Sequence, residues 1–300
     1  MTLTGHSHRV ADDYPTRISQ GAQRINRGDP TVWAGRSGPF TDTELAAHDR
    51  DGYHVIPELL PESEVQALRV ELDRLIADPD VRADERTIVE RKTAQVRSIF
   101  EVHAISAVIA ELAADERIRG RAEQILGSDV YLHQSRINAM PGFVGNGFYW
   151  HSDFETWHAE DGMTRPRAVS MSIALVPNYA YNGGLMVMPG SHRTFVSCIG
   201  ATPDNHYKSS LQEQETGVPD TDSLTALAEE YGIDQFTGPA GSALMFDCNV
   251  MHGSGSNITP YPRSNIFLVF NSVENPLVAP FAAPQPRPEF VAARSVTPLR

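Results

Sequence analysis

Cysteine is scarce in this chain: 300 residues contain two, Cys198 and Cys248. That is too few for a disulfide framework, and a reducing cytoplasm is the expected compartment. Positive charge is also short, with 25 Lys+Arg against 38 Asp+Glu and a net charge of −13. No basic cluster stands ready to neutralise phosphates, which argues against nucleic acid and against an anionic membrane as partners. No apolar run approaches the ~20 residues that a spanning helix needs. The stretch up to Arg17 lacks the apolar centre of a signal peptide. Core-forming residues, by contrast, are ample at 41% of the chain. The expectation is a globular, intracellular enzyme of one domain covering residues 1–300. A homodimer is a possible assembly that no motif specifies.

Residues 1–40 are polar and read as a loose N-terminal arm anchored by Trp33 and Phe40. Thr41 or Asp42 then caps a short helix, and residues 52–57 read as a strand. Pro61 opens a run in which Val65, Leu68, Leu72, Leu75 and Ile76 recur at helical spacing. A second amphipathic helix is predicted through Ile105, Ile109, Leu112, Ile118, Ile125 and Leu126, ending at Gly127. The chain up to Gly127 therefore reads as mostly helical.

Beyond Ser128 the period shifts to two. Strands are predicted over 130–140, 147–154, 168–176, 184–188, 242–246 and 265–270, with a strong turn signal at 181–184. Residues 198–238 form a polar insertion with a helix over 221–231. Residues 276–300 carry six prolines and read as an extended surface tail. Helices followed by short strands predict a mainly β fold, a sandwich or barrel with flanking α-helices.

Eleven histidines are present, and the useful question is which of them stand in ligand spacing. His-x-acid occurs at His151/Asp153 and at His158/Glu160. On a strand, residues two apart face the same way, so His151 and Asp153 can offer an imidazole and a carboxylate to one ion. His158 and Glu160 lie in a polar stretch expected to be a loop. His252, on the segment after the apolar 242–246 strand, is the third donor, and Arg263 follows it on the next strand. Two His and one carboxylate leave coordination positions open, the arrangement of non-haem Fe(II) oxygenases. An arginine nearby offers a fork for the carboxylate of a co-substrate.

The run Phe148-Tyr-Trp-His-Ser-Asp-Phe-Glu-Thr-Trp-His-Ala-Glu-Asp-Gly-Met163 resembles the signature stretch of the ectoine hydroxylases. These belong to the phytanoyl-CoA dioxygenase-like group of Fe(II)/2-oxoglutarate oxygenases. Residues 13–17, 29–33 and 246–254 are similar to that family as well, so the resemblance runs over nearly the whole chain. One departure is Thr164-Arg165-Pro166, where the family usually places Pro directly after the Met.

The resemblance implies a double-stranded β-helix (jelly-roll, cupin-like) core and hydroxylation of ectoine to 5-hydroxyectoine. It implies Fe(II), O2 and 2-oxoglutarate, the last being decarboxylated to succinate and CO2. It assigns His151, Asp153 and His252 to the iron and Arg263 to the distal carboxylate of 2-oxoglutarate. Asn138, Phe148 and Ser254 are then expected near the co-substrate, and Gln134, Arg136, Trp157, Ser172 and Phe267 around ectoine. Ectoine joins a delocalised amidinium to a carboxylate, so aromatic faces at Trp157 and Phe267 and donors at Gln134, Arg136 and Ser172 suit it. The alternatives are a related oxygenase acting on another small molecule, such as a free amino acid, and a non-catalytic cupin-type metal-binding protein.

Overall fold

The computed structural model describes residues 11–90, 94–143, 145–211 and 216–300. Two antiparallel sheets face each other. The larger has seven strands, in the order Tyr53–Ile56, Ala243–Asp247, Ala168–Ala174, Arg263–Ser272, Val130–Met140, Val96–Phe100 and Thr87–Val89. The smaller has four, in the order Asp234–Gln235, Leu185–Val187, His252–Ser254 and Phe148–His151. The core is the double-stranded β-helix expected.

Period-two alternation sorts the larger sheet's side chains between its two faces. Ile137, Met171, Ile173, Met245, Ile266 and Leu268 point outward into one apolar cluster. There they meet Val65, Leu68, Leu72 and Leu75, the buried stripe of the helix Glu62–Ala77. The alternate residues Leu244, Phe246 and Phe267 join an inner cluster with Leu185 and Val187 of the smaller sheet. The inner face of the larger sheet also carries the polar residues of the site.

Several expectations need correction. The predicted helix over 105–126 is three helices, Val102–Ile105, Ala107–Ala114 and Glu116–Leu126. Ser106 and Asp115 each cap the following helix through a side-chain oxygen, and local capping overrides the apolar period. The first part of the chain also contributes strands, among them Val96–Phe100. The strand predicted over 147–154 stops at His151, and Asp153–Thr156 and Trp157–Asp161 are helical, the second with π geometry. His158 and Glu160 thus lie in a buried helix, not a loop.

The two ends of the chain are also more ordered than read. Residues 1–10 lie outside the described set, but Arg24–Asn26 pairs with Thr194–Val196, and Tyr14 and Arg17 are buried. Residues 276–300 lack regular structure, yet Val291 and Ala292 are buried and Arg287 pairs with Asp161 at 2.5 Å. Backbone bonds from Ala293 to His133 O and from Leu299 to Val130 O lay this tail along the strand Val130–Met140. Of the insertion over 198–238, residues 212–215 lie outside the described set, and the predicted helix Thr221–Tyr231 is present.

His48, in the capped helix Asp42–Asp51, is fully buried, with no hydrogen-bond partner on either ring nitrogen among the described residues. Burial pushes its pKa down to about 3, and nearby His192, His54 and Arg27 add to that against the pull of Asp247. The folded state keeps this ring neutral, whereas in the unfolded chain it charges below about 6.5. Stability contributed here is therefore present above the unfolded pKa and is lost as pH falls from there toward the folded value. Denaturation midpoints followed from pH 7 to pH 5 should fall less steeply in His48→Gln than in the parent; equal slopes would place the acid sensitivity elsewhere.

Candidate metal and co-substrate site

His151 ends its strand, and Asp153 opens the next short helix, with Ser152 between them capping that helix by accepting from Glu155 N–H. The strand His252–Ser254 lies directly beside, with His252 in register with His151. Asp153 Oδ1 is 3.5 Å from His151 Nε2 and 3.9 Å from His252 Nε2. One donor atom from each of the three lies within 4.8 Å of the others. The i, i+2 argument named the right pair for a partly wrong reason, because Asp153 reaches the site from a helix and not from the strand.

Hydrogen bonding fixes which ring nitrogens face inward. His151 Nδ1 contacts Tyr149 O at 2.8 Å and His252 Nδ1 contacts Val250 O at 3.0 Å. A carbonyl can only accept, so each Nδ1 carries a proton and each Nε2 is the ring atom left toward the centre. Ser170 Oγ lies 3.4 Å from Asp153 Oδ2 and leaves Oδ1 toward the imidazoles.

The charges match this arrangement. Burial and the neighbouring His151 and Arg136 push His252 down to about 4, against the attraction of Asp153, so the ring is neutral at ordinary pH. Burial alone would raise the Asp153 carboxyl, but His252, His151 and Arg136 outweigh it and hold the group well below the usual carboxylate range. Two imidazole Nε2 atoms and one ionised carboxylate suit a divalent ion, and a set of three leaves positions open as Fe(II) oxygenases require.

A cleft opens beside the triad, lined by Arg136, Asn138, Phe148, His151, His252, Ser254, Arg263 and Phe267. Nine of the twelve site residues expected from the sequence are therefore gathered here, Asp153 included through the triad. Arg263, Asn265 and Phe267 share the inward face, and the irregularity in this ladder falls later, between Val269 and Phe270. The turn read at 181–184 also contributes: Gly183 adopts φ 79°, and its carbonyl accepts from Arg263 Nη1.

Arg263 is buried and Arg136 half-buried, and both feel the loss of water. Burial and then Arg136 push Arg263 down to about 10, and burial likewise lowers Arg136. Neither forms an ion pair among the described residues, and Arg136 Nε has no hydrogen-bond partner there. The guanidinium of Arg136 lies 4.8 Å above the Phe267 ring. Two desolvated cations with no ion pair among the described residues, and only the more distant Asp153 to offset Arg136, are costly unless anions complete them. The cleft is thus built for carboxylates.

Gln134, Trp157 and Ser172 are not on its lining. Gln134 Nε2 donates to Val291 O in the C-terminal segment at 2.7 Å. Trp157 is buried in a cluster with Phe154, Phe195 and Val269, and its ring meets His133 at 5.0 Å. Ser172 Oγ accepts from Asn265 Nδ2 at 2.9 Å. The indole therefore does not face the cleft beside the triad, where the resemblance placed it around ectoine. The helix that follows Asp153 turns it into the core. Reasoning from sequence also missed Ser98 and Phe100, which line the cleft from the strand Val96–Phe100. Their five-residue strand is too short to stand out between helical stretches; its only signal was a local run of β-formers.

Comparison with known proteins agrees with this geometry. The phytanoyl-CoA dioxygenase (PhyH) family pattern matches residues 48–265. The ectoine dioxygenase of Nocardia farcinica is 62% identical over 288 residues, covering 96% of this chain and 95% of that protein. The chain belongs to the ectoine dioxygenases of the phytanoyl-CoA dioxygenase family. Within that family the Streptomyces coelicolor ectoine dioxygenase is 58% identical, over 99% of this chain and all of its own length. The crystal structure of EctD from S. alaskensis with 2-oxoglutarate and 5-hydroxyectoine is 46% identical, with a TM-score of 0.87 over 96% of this chain and 97% of that one. EctD from S. alaskensis has also been solved with bound Fe.

Proposed function

We propose that this chain hydroxylates ectoine to 5-hydroxyectoine while 2-oxoglutarate is decarboxylated to succinate and CO2 with consumption of O2. The observation that carries the reading is one cleft holding the His151/Asp153/His252 triad beside two guanidinium groups, Arg136 and Arg263, that form no ion pair among the described residues. A site for a structural metal has no use for either cation. The Nocardia relative acts on ectoine by name, and the S. alaskensis structure holds the co-substrate and the product.

In this reading His151, Asp153 and His252 hold Fe(II), which when bound supplies the O2 activation and the attack on the substrate C–H bond. The remaining work belongs to side chains. Arg263, fixed by Gly183 O, takes the distal carboxylate of 2-oxoglutarate as a forked donor, with Ser254 beside it. Asn138 and Phe148 shape the co-substrate's berth. Arg136 meets the carboxylate of ectoine, and Phe267 beneath it supplies a flat apolar wall. Ser172 acts through Asn265. Gln134 and Trp157 shape the interior one step beyond Phe267, at Val269. Phe100, Phe148, Leu185 and Phe267 on the lining limit water at the reacting carbon. The two free, buried cysteines fit a reducing cytoplasm, and the 300 residues act as one catalytic domain. No helix among the described residues is long and apolar enough to cross a membrane.

The direct test is mass spectrometry of ectoine after incubation with the iron-loaded protein, 2-oxoglutarate and O2. A product one oxygen atom heavier is expected; unchanged ectoine would reject the reading. Arg136→Leu tests the substrate contact separately. Loss of a charge-assisted hydrogen bond, about 1.5–3 kcal/mol, should lower kcat/KM for ectoine by roughly ten- to a hundredfold. The apparent affinity for 2-oxoglutarate should hardly move. A loss confined to 2-oxoglutarate would exchange the roles of Arg136 and Arg263.

A further inference from the structure

The helix that begins at Asp153 is gripped from outside the cleft. Arg17 Nε and Nη2 donate to the two carboxylate oxygens of Glu155 at 2.6 and 3.0 Å, and Nη2 also donates to Glu160 Oε1 at 3.1 Å. Thr16 Oγ1 adds a bond to Glu155 Oε1 at 2.6 Å, and His206 Nδ1 lies 2.8 Å from Glu160 Oε1. The side chains of Arg17 and Glu155 are each 1% exposed. Arg17 holds this place at φ 55°, a left-handed backbone that only glycine adopts freely.

Three features make this more than a fastening of the N-terminal segment. Glu155 lies two residues from Asp153 in the same single turn, so the rotation of that turn and the direction of the Asp153 carboxylate are coupled. The turn is too short to hold itself: it spans four residues, 153–156, and continues as a π-helix, whose wider winding is not self-stabilising. A buried ion pair, finally, contributes little stability over an apolar replacement, and its characteristic use is to fix one geometry. A forked guanidinium on a carboxylate fixes orientation as well as distance.

We propose that Arg17 is a positioning residue for the metal site, orienting Asp153 through its fork on Glu155. The proposal rests on the assignment of His151, Asp153 and His252 to the metal. That assignment is checked first, by showing that Fe(II) binding to the parent in anaerobic equilibrium dialysis is lost in His252→Ala.

The test compares Arg17→Lys with Arg167→Lys. Arg167 is another buried arginine, bonded to Leu126 O away from the cleft, and so controls for a general loss of packing. Arg17→Lys keeps the charge but not the fork, and should weaken Fe(II) binding by about tenfold, the lower end for a residue acting through a ligand's surroundings. The d–d absorption of the Co(II)-loaded protein should shift with it. Arg167→Lys should lower Tm comparably while leaving Fe(II) affinity and the Co(II) spectrum at the parent's. Glu155→Gln, the second arm should Arg17→Lys not fold, is expected to weaken iron in the same direction. Parent-like Fe(II) affinity in Arg17→Lys or Glu155→Gln, or equal weakening in Arg167→Lys, would overturn the proposal and leave Arg17 a fastening only.

Discussion

His252→Ala is expected to abolish hydroxylation and uncoupled succinate formation together, and to remove Fe(II) binding, while Tm stays close to the parent's. The ring is one of three donors meeting at the centre, and its Nε2 cannot be replaced by a neighbour. The other imidazoles among the described residues are engaged elsewhere or held in the core: His158 lies between Met163 O and Asp12, and His206 pairs with Glu160. The fold should survive because the strand His252–Ser254 is held by backbone pairing to both Leu185–Val187 and Phe148–His151. Without metal, moreover, the wild-type ring is a neutral, desolvated group. Asp153→Asn should behave alike, because it removes the ionised donor and keeps the shape. The measurements are anaerobic Fe(II) titration, succinate and hydroxyectoine yield, and thermal denaturation of the metal-free protein. Retained turnover in either variant would remove that residue from the ligand set.

The second large effect belongs to Arg263. Replacing it with Ala should raise the 2-oxoglutarate requirement by roughly 30- to 5,000-fold, the equivalent of about 2–5 kcal/mol for a buried carboxylate left without its forked partner. Arg263→Lys should recover only part of this. An ammonium restores charge but cannot present two parallel donors, and its stem does not reproduce the contact with Gly183 O. Iron affinity should stay near the parent's, since Arg263 is not among the three donors. Saturating 2-oxoglutarate should return most of kcat in the Ala variant. Failure to recover at any concentration would mean that Arg263 acts on the chemistry and not on co-substrate binding.

Much of the site could be read before any coordinates, because its chemistry lies in residue types at fixed spacing. His151, Asp153, His252 and Arg263 were legible on those grounds, whereas Arg136, Asn138 and Phe267 came from the family resemblance, with which strand alternation is compatible. Trp157 and Gln134 were not legible in the same way. Their neighbours depend on where the strand after Phe148 stops and on how residues 276–300 return across Val130–Met140, neither of which has a local signal. The same holds for Ser98 and Phe100, whose importance comes from pairing with Asn138 and Arg136 across the ladder. In the helical region the apolar period correctly gave the face of Glu62–Ala77. It ran straight through Ser106 and Asp115, where a side-chain oxygen stops one helix and starts the next. Long-range returns and local caps, then, are where pattern reading gave out.

The central claim is that one cleft couples 2-oxoglutarate decarboxylation to hydroxylation of ectoine in particular. The most direct measurement is the yield of succinate and of hydroxylated product in the same reaction, with ectoine and, in parallel, with free proline as a cyclic amino acid lacking the amidinium. One succinate per 5-hydroxyectoine is expected with ectoine, and little of either product with proline. Equal coupled turnover of both compounds, or succinate formed without hydroxyectoine, would contradict it.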